Sequence, residues 1–488
     1  MPNDSIRIFG KDHLVPYWHL AGALLFGFLL RRFFITHFHP YAGDAQFYEE
    51  LARNWLYHGV YGRNLWGQLL PSDMRMPGYP AFLATIYRTL GRSPAAVMSV
   101  QALVDLATCV LTAMIAARLA PASKRKKVAT IALWLAALCP FTANYTGVVL
   151  TETLATFITS LAMLIFVWPW TNADMDITRA DMSRNLLLRY VGWFFLGGVI
   201  VGVGTLVRPE TPLLLIAVGL VMCARWRRPA NWWKLSLAVL WMGVGLILPL
   251  APWASRNALH LGRVQFLSPR YTESPGDYVP RGFYAWTQTW MVKFGDAYSV
   301  TWKLGEKVAI DANTLPASAY DSPAELARVA ALIDEYNKRS FVTPELNFQF
   351  AQLAEERAEA HPVRTYILIP IERGWWLWFT PRIELLPYSG KLWPLHEAWH
   401  NNLEDFSVTF GYAILNFIYV GMALIGAWKF RAHEGIALLA TFLVVRTVFF
   451  TQQLTVEPRY VIVCFPIVLA LGALAWTSPR GSTAADVI

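Results

Sequence analysis

The chain has 488 residues, of which 55% are hydrophobic, 14% aromatic and only 15% charged, with a formal net charge of +9. Soluble domains carry about 25% charged residues, so this composition excludes a disordered chain, a collagen-like fibre and an ordinary soluble enzyme, and points to a multi-span membrane protein. The positive charge does not indicate a nucleic-acid partner. It gathers in short segments between apolar runs, at Lys124, Arg125, Lys126 and Lys127 and again at Arg225, Arg227, Arg228 and Lys234, which is the positive-inside pattern of cytoplasmic loops.

A membrane span needs about 20 apolar residues. About ten segments qualify or nearly do: 15–36, 94–119, 128–143, 147–168, 189–207, 211–224, 235–254, 405–427, 435–452 and 459–476. The first has no small-residue cleavage site after it and reads as a retained span. With the basic loops inside, both termini fall in the cytoplasm and three segments lie outside: 37–93, 255–404 and a short turn near 453–458. The expected organisation is an N-terminal membrane module over 1–254 that carries the first outer loop (37–93), an extracytoplasmic helical segment over 255–404, and C-terminal membrane helices over 405–488. Cys109, Cys139, Cys223 and Cys464 sit separately inside apolar runs and read as buried thiols without a disulfide framework.

The first outer loop reads as two short interfacial helices. Asp44 is a good N-cap for one that carries Phe47, Tyr48, Leu51 and Trp55 on one face and ends at Gly59. The other runs from about Tyr79 to Leu90 and stops at Gly91. In the large outer segment, Ser322-Pro323-Ala324-Glu325 is a capping box with proline at the first helical position, and Thr343-Pro344 opens a second helix that ends before His361-Pro362. The apolar stretch 363–380 contains Pro370, Glu372 and Arg373 and reads as interfacial or re-entrant.

Charges at membrane depth are costly and mark functional or paired groups. Asp44, just above the first span, serves equally as a helix cap and as a general base or metal ligand. Glu152, in Thr151-Glu152-Thr153, opens an apolar run on the same expected side. Five arginines also map there, against the bias that keeps arginine inside: Arg75, Arg208, Arg256, Arg382 and Arg459. Local pairing with Glu210, Glu384 or Glu457 accounts for any one of them. As a group they suit a phosphate, because the guanidinium is a planar fork of donors. Asp105 and Arg446 read as structural charges inside the bundle. His396 and His400 share a helix face but lack a third ligand for zinc.

Several of these residues stand in motifs that resemble a known group. Gly43-Asp44-Ala45-Gln46-Phe47-Tyr48 with Leu51-Ala52 resembles the first outer loop of the GT-C glycosyltransferases. It is most similar to bacterial enzymes of the dolichyl-phosphate-mannose mannosyltransferase type and to the lipid A aminoarabinose transferases. Met76-Pro77-Gly78-Tyr79-Pro80 is similar to a Pro-Pro-Gly-Tyr-Pro segment of that group, with Met76 in place of a proline. Thr151-Glu152, Leu206-Val207-Arg208-Pro209, Pro252-Trp253 with Arg256-Asn257, and Glu457-Pro458-Arg459-Tyr460 follow in the group's order, over about residues 15 to 476.

The resemblance implies an all-α, GT-C-like polytopic bundle with jaw-like interfacial helices and an extracytoplasmic helical segment. It implies an inverting hexosyl or pentosyl transfer from a polyprenyl-phosphate-linked donor at the outer face of the cytoplasmic membrane. The acceptor would be a glycolipid, an envelope polysaccharide or a protein, and a protein O-mannosyltransferase would more typically show Asp-Glu where this chain has Asp44-Ala45. Asp44 matches the group's catalytic acid, which leaves Glu152 as the second carboxylate. Arg75, Arg208, Arg256, Arg382 and Arg459 would bind the donor phosphate, with Tyr48, Tyr79, Glu210, Glu457 and Tyr460 in the substrate pocket. A divalent metal held by Asp44 and Glu152 stays open, and no other cofactor is implied. The alternative from another class is a lipid-linked sugar flippase or transporter. It accounts for buried charges and many spans but not for the capped helical pair or the interfacial helices, and no paired broken spans suggest inverted repeats.

Overall fold

The structure, a computed structural model, describes residues 14–38, 43–171, 184–225, 232–269, 271, 278–306 and 308–479. Arg227 and Arg228 of the second basic segment lie outside these residues. The helices in chain order are α1 (Tyr17–His37), α2 (Gly43–His58), α3 (Gly78–Leu90), α4 (Pro94–Leu119), α5 (Arg125–Ala137), α6 (Pro140–Asn144), α7 (Glu152–Thr171), α8 (Arg184–Val207), α9 (Leu213–Arg225) and α10 (Trp232–Leu261). They continue with α11 (Arg281–Gln288), α12 (Phe294–Ser299), α13 (Pro323–Arg339), α14 (Pro344–Ala360), α15 (Ile369–Trp378), α16 (Leu395–Asn401), α17 (Leu403–Lys429), α18 (Glu434–Thr451) and α19 (Phe465–Leu474). The chain divides into two compact units, one of Met1–Pro269, Pro381–Val445 and Ile462–Ile488, the other of Arg270–Thr380 and Arg446–Val461.

The protein is a multi-pass helical membrane protein. Among the described residues, seven helices are long and apolar enough to cross a membrane, or eight if a bent pair counts as one span. With two shorter apolar helices, these fall on the ten expected segments, of which seven or eight are long enough to cross on their own. Segment 211–224 forms only the short α9, and 459–476 is divided between a 3₁₀ stretch, Pro458–Cys464, and the ten-residue α19. Segment 128–143 is bent by 43° between α5 and α6, where Pro140 opens α6 and has no N–H to continue the helix.

The charges inside the first unit are paired. Arg31 of α1 is fully buried, and its guanidinium donates to Asp105 Oδ2 of α4 at 2.6 and 2.9 Å and to the carbonyls of Gly27 and Ala137 at 2.7 and 2.9 Å. One side chain thus ties α1, α4 and α5 together. Three cysteines are buried and free as expected, whereas Cys223, on α9, is free but exposed.

Between α1 and α4, α2 and α3 form over the two stretches expected to be helical, and Gly59 and Gly91 end them with φ of +70° and +81°, a conformation glycine adopts without steric penalty. Asp44 lies inside the first turn of α2, one residue beyond its start, rather than capping it. The buried face of α2 is Ala45, Glu49, Leu51, Ala52 and Asn54, while Trp55 is exposed, so its apolar stripe is rotated from the expected one. Between α2 and α3 runs a hairpin of β1 (Gly62–Leu65) and β2 (Gln68–Pro71), which was not expected. Its strands, Gly-Arg-Asn-Leu and Gln-Leu-Leu-Pro, are four residues each and lack the alternation that would have revealed them.

The second unit is built on aromatic burial. Phe283, Trp286, Trp290, Tyr336 and Phe350 form its core with Val329, Ile333 and Leu353. Ser322 caps α13 by accepting from Glu325 N at 3.1 Å, and Thr343 caps α14 by accepting from Leu346 N at 3.2 Å. The reciprocal half of the box differs: Glu325 accepts from Asp321 N at 2.8 Å and binds the buried Arg357 at 2.5 Å. Stretch 363–380 becomes one π turn, Arg364–Leu368, followed by α15. Tyr366, Ile367, Ile371 and Trp375 are exposed along it, the character of an interfacial segment.

Breaking the Arg31–Asp105 pair tests how far the first unit depends on paired charge. Asp105→Asn leaves a buried guanidinium without its counter-charge and is expected to cost about 3–5 kcal/mol, read as a large fall in the thermal midpoint of the detergent-purified protein. Replacing both residues by apolar side chains of similar volume is expected to restore most of the midpoint.

Candidate active site

The first unit brings two carboxylate–arginine groups to one tyrosine. Asp44 Oδ1 accepts from Arg75 Nη2 at 2.9 Å. Arg208 donates from Nη1 to Glu152 Oε1 at 2.9 Å and from Nε to Glu210 Oε1 at 2.6 Å, with all three side chains at most 12% exposed. Tyr48, on α2 next to Asp44, is half-buried. Burial raises its hydroxyl above the usual value; Arg75 opposes the shift, Asp44 adds to it, and Arg208 and Glu152 follow in the same opposed manner. Asp44, Arg75, Arg208 and Glu152 therefore share one electrostatic environment around Tyr48.

Local structure explains why these charges are tolerated. Glu152 is the first residue of α7, at the positive end of that helix, and Arg208 directly follows the last residue of α8, at the negative end. Each sits where the peptide dipoles favour its sign. A polar chain holds the segment before Glu152 in place. Tyr79 Oη donates to Gln101 Oε1 at 2.7 Å, and Gln101 Nε2 donates to the carbonyls of Val148 and Thr146 at 2.8 and 3.2 Å. Tyr79 also packs edge-on to Tyr48, with ring centroids 5.1 Å apart. Burial pushes the Tyr79 hydroxyl well above its ordinary value, and Glu152 adds to the shift.

Gly78 sets the approach of α3 to this group. A Cβ built there would lie 2.6 Å from the carbonyl oxygen of Leu206 and 2.7 Å from its carbon. Only a residue without a side chain lets the start of α3 lie against the end of α8, next to Arg208.

The other predicted residues are placed as follows. Arg256, on α10, donates to the carbonyls of Ser72, at 3.0 Å, and Tyr61, and it lies over the rings of Trp253 and Tyr61. Tyr61 Oη in turn donates to the carbonyl of Arg75 at 2.9 Å. Arg256 thus braces the segment between α2 and α3 that carries Arg75. It also lines a mainly apolar cavity of about 330 Å³ with Trp55, Pro77, Leu206, Pro252 and Trp253. Arg382 is buried, donates to Asn416 Oδ1 at 3.1 Å and stacks over Phe465 at 4.8 Å; its neighbour Glu384 accepts from Tyr145 Oη at 2.7 Å. Glu457, Arg459 and Tyr460 belong to the second unit, where Glu457 binds Arg459 Nε at 2.5 Å and accepts from Tyr460 Oη at 2.8 Å. A cavity of about 640 Å³ in the second unit, lined by Gln288, Glu355, Glu359, Thr365 and Arg373 among others, contains none of the predicted residues.

Sequence reading missed Gln101, Glu49 and Asp73. Glu49 is buried and accepts from Tyr87 Oη at 2.8 Å. Asp73 is buried and binds Arg263 at 2.7 Å. Asp73 lies just before the Met76-Pro77-Gly78 motif, a signal that could have marked it. Among the described residues, no group of three or more His, Cys, Asp or Glu side chains is arranged to hold a metal ion. Asp44 and Glu152 are each engaged by an arginine, so this donor set does not fit a resident metal.

No family model matches the sequence, and no curated protein sequence matches it. Comparison with solved structures finds archaeal oligosaccharyltransferase AglB from Archaeoglobus fulgidus in complex with an inhibitory peptide and a dolichol-phosphate, at 13% identity and a TM-score of 0.49, covering 94% of this chain and 50% of that one. It also finds ArnT from Cupriavidus metallidurans bound to undecaprenyl phosphate, at 13% identity and a TM-score of 0.37, covering 94% of this chain and 77% of that one. The chain spans about half the length of the oligosaccharyltransferase, and at these identities and scores no reaction passes from the neighbours to this chain, so its chemistry is argued from its own residues.

Gly78→Ala provides the local test of the site's assembly. Overpacking against the Leu206 backbone is expected to destabilise the protein by about 1–3 kcal/mol and to lower its thermal midpoint. Gly243→Ala is the control, since a Cβ there meets nothing within 4 Å, and its midpoint is expected to be unchanged.

Proposed function

We propose that the chain is a glycosyltransferase that moves a hexose or pentose from a polyprenyl-phosphate donor to a hydroxyl acceptor at the outer face of the cytoplasmic membrane, with inversion. The observation that supports this reading best is the convergence of Asp44–Arg75 and Glu152–Arg208–Glu210 on Tyr48. It supplies carboxylates for proton removal and guanidinium groups for a leaving phosphate within one environment.

In the proposed reaction the acceptor oxygen attacks the anomeric carbon, the bond from that carbon to the phosphate oxygen breaks, and the acceptor proton passes to Asp44. Arg75 and Arg208 take the charge that develops on the departing polyprenyl phosphate. The ion pairs give this a sequence. A donor phosphate competes with Asp44 for Arg75 and with Glu152 for Arg208, and a carboxylate released from its arginine is the stronger base. Glu210 keeps Arg208 in place during the exchange. Arg256, whose donors hold loop carbonyls, acts as a positioning residue, and the apolar cavity beside it suits the first isoprene units of the donor. Arg382, Arg459, Glu457 and Tyr460 remain candidates for donor and substrate contacts. The acceptor class, whether glycolipid, envelope polysaccharide or protein, is open on this reading.

Asp44→Asn separates the proposed base from a merely structural carboxylate. The variant keeps the volume and an acceptor oxygen for Arg75 but cannot take a proton. Turnover of a polyprenyl-phosphate sugar, measured as release of polyprenyl phosphate, is expected to fall by roughly 10²–10⁴ at an unchanged thermal midpoint; turnover near that of the parent would refute the role. Arg208→Lys is expected to recover only part of the activity lost in Arg208→Ala, because lysine cannot bridge two carboxylates and a phosphate with a planar fork. For sidedness, a cysteine placed at Trp66, an exposed position at the hairpin tip, is expected to react with an impermeant reagent in intact cells, and one at Lys124 is not. The reverse pattern would place the site on the cytoplasmic face.

A further inference from the structure

Arg118, in the last turn of α4, is only 6% exposed. Its guanidinium lies 3.3 Å from the centre of the Trp168 ring of α7, and among the described residues its buried Nη2 has no hydrogen-bond partner. Arg125, the first residue of α5, also has a buried Nε without a partner. The two are joined by the short connection 120–124, and the charge that acts on Arg118 is that of Arg125, of the same sign. Other basic groups of the first unit hold a carboxylate directly. Arg31 has Asp105, and Arg225, in the neighbouring basic segment, has Glu434 at 2.6 Å.

The start of α5 repeats the imbalance. Its first turn holds no acidic residue, no side chain caps it, and Lys126 and Lys127 follow Arg125. A helix N-terminus is the positive end of the helix, so basic residues there are unfavourable unless an anion joins them. A cation–π contact offsets only part of what burying an unpaired ion costs. A counter-ion resolves both problems. Two guanidinium groups match the tetrahedral oxygens of a phosphate. Trp168 and its neighbour Trp193, with ring centroids 5.8 Å apart, are the residue type that settles at headgroup level, and basic pockets between membrane helices suit anionic lipid headgroups.

We propose that Arg118 and Arg125, where α4 ends and α5 begins, form a binding site for a phosphate group of the class carried by anionic phospholipids. The site is separate from the candidate active site: Glu152 opens α7 and Trp168 lies sixteen residues further along it, about 24 Å at the rise of an α-helix. The inference stands whether or not the chain transfers sugars.

The test uses the full chain purified in a neutral detergent. Phosphatidylglycerol, phosphatidylcholine and inorganic phosphate are titrated separately, with bound lipid counted by native mass spectrometry and the thermal midpoint followed by tryptophan fluorescence. Phosphatidylglycerol is expected to bind and stabilise the parent more than phosphatidylcholine does, and Arg118→Gln and Arg125→Gln are each expected to weaken that binding about tenfold, the loss of one charge-assisted hydrogen bond. Stabilisation by inorganic phosphate alone, lost in the same variants, supports the phosphate site and assigns it to a free anion instead of a headgroup. If Arg118→Gln does not fold, Arg125→Gln, at a partly exposed position, carries the comparison. Equal binding of phosphatidylglycerol and inorganic phosphate by the parent and Arg125→Gln would overturn the proposal.

Discussion

One guanidinium shared by two carboxylates is the constraint around which the candidate site is built. Arg208 holds Glu152 from α7 and Glu210 from its own loop, and these groups are too buried for water to screen them. The trio carries one surplus negative charge, which the positive end of α7 offsets in part. Its geometry fixes where α7 and α8 end relative to each other. The approach of Gly78 to Leu206 then places α3, and Tyr79 on α3 reaches Gln101 and the segment that leads into Glu152. The acidic and basic groups around Tyr48 are thus consequences of helix ends meeting, with helix dipoles of opposite sign turned toward each other.

Much of this was legible in the sequence because the cues were local. Gly59 and Gly91 announced the ends of α2 and α3, Ser322 and Thr343 announced the starts of α13 and α14, and the hydropathy of 94–119 or 405–427 marked a span directly. Long-range pairing was not legible. Nothing in Gln101 signals that it links Tyr79 to the carbonyl of Val148, since both partners come from other elements. The pairing of Arg75 with Asp44 crosses 31 residues and an unanticipated hairpin. The nearest acid in sequence was the right partner for Arg208 and for Arg459, but not the whole answer for Arg208, which takes Glu152 as well. The bend at Pro140 was not legible as a bend, because hydropathy averages over a proline that the backbone cannot pass unbroken.

Buried charge is handled in two ways in the first unit. Arg31 is saturated by one carboxylate and two carbonyls and behaves as a rivet between three helices. Arg118 rests on an indole ring with a donor left over. The first arrangement is complete in the folded chain. The second is completed by something from its surroundings, and the bundle therefore presents two kinds of anion-seeking group near the two ends of α7.

The second unit is assembled from two stretches of chain, and its interior crosses that division. Arg373, buried on α15, donates to the carbonyl of Met291 at 2.9 Å and to those of Thr451 and Gln453 at 3.0 and 3.2 Å, while Trp378 Nε1 donates to Thr447 Oγ1 at 2.9 Å. Ribosomes add about 5–20 residues per second, so Arg373 is made on the order of ten seconds before the carbonyls of Thr451 and Gln453 that receive it. The aromatic core, drawn from residues 283–354, does not depend on that later stretch, whereas Leu377 on α15 waits for Phe450, Val456 and Val461. The unit is therefore completed in two stages, with its aromatic centre available before α17 is made and its α15 edge closed only afterwards.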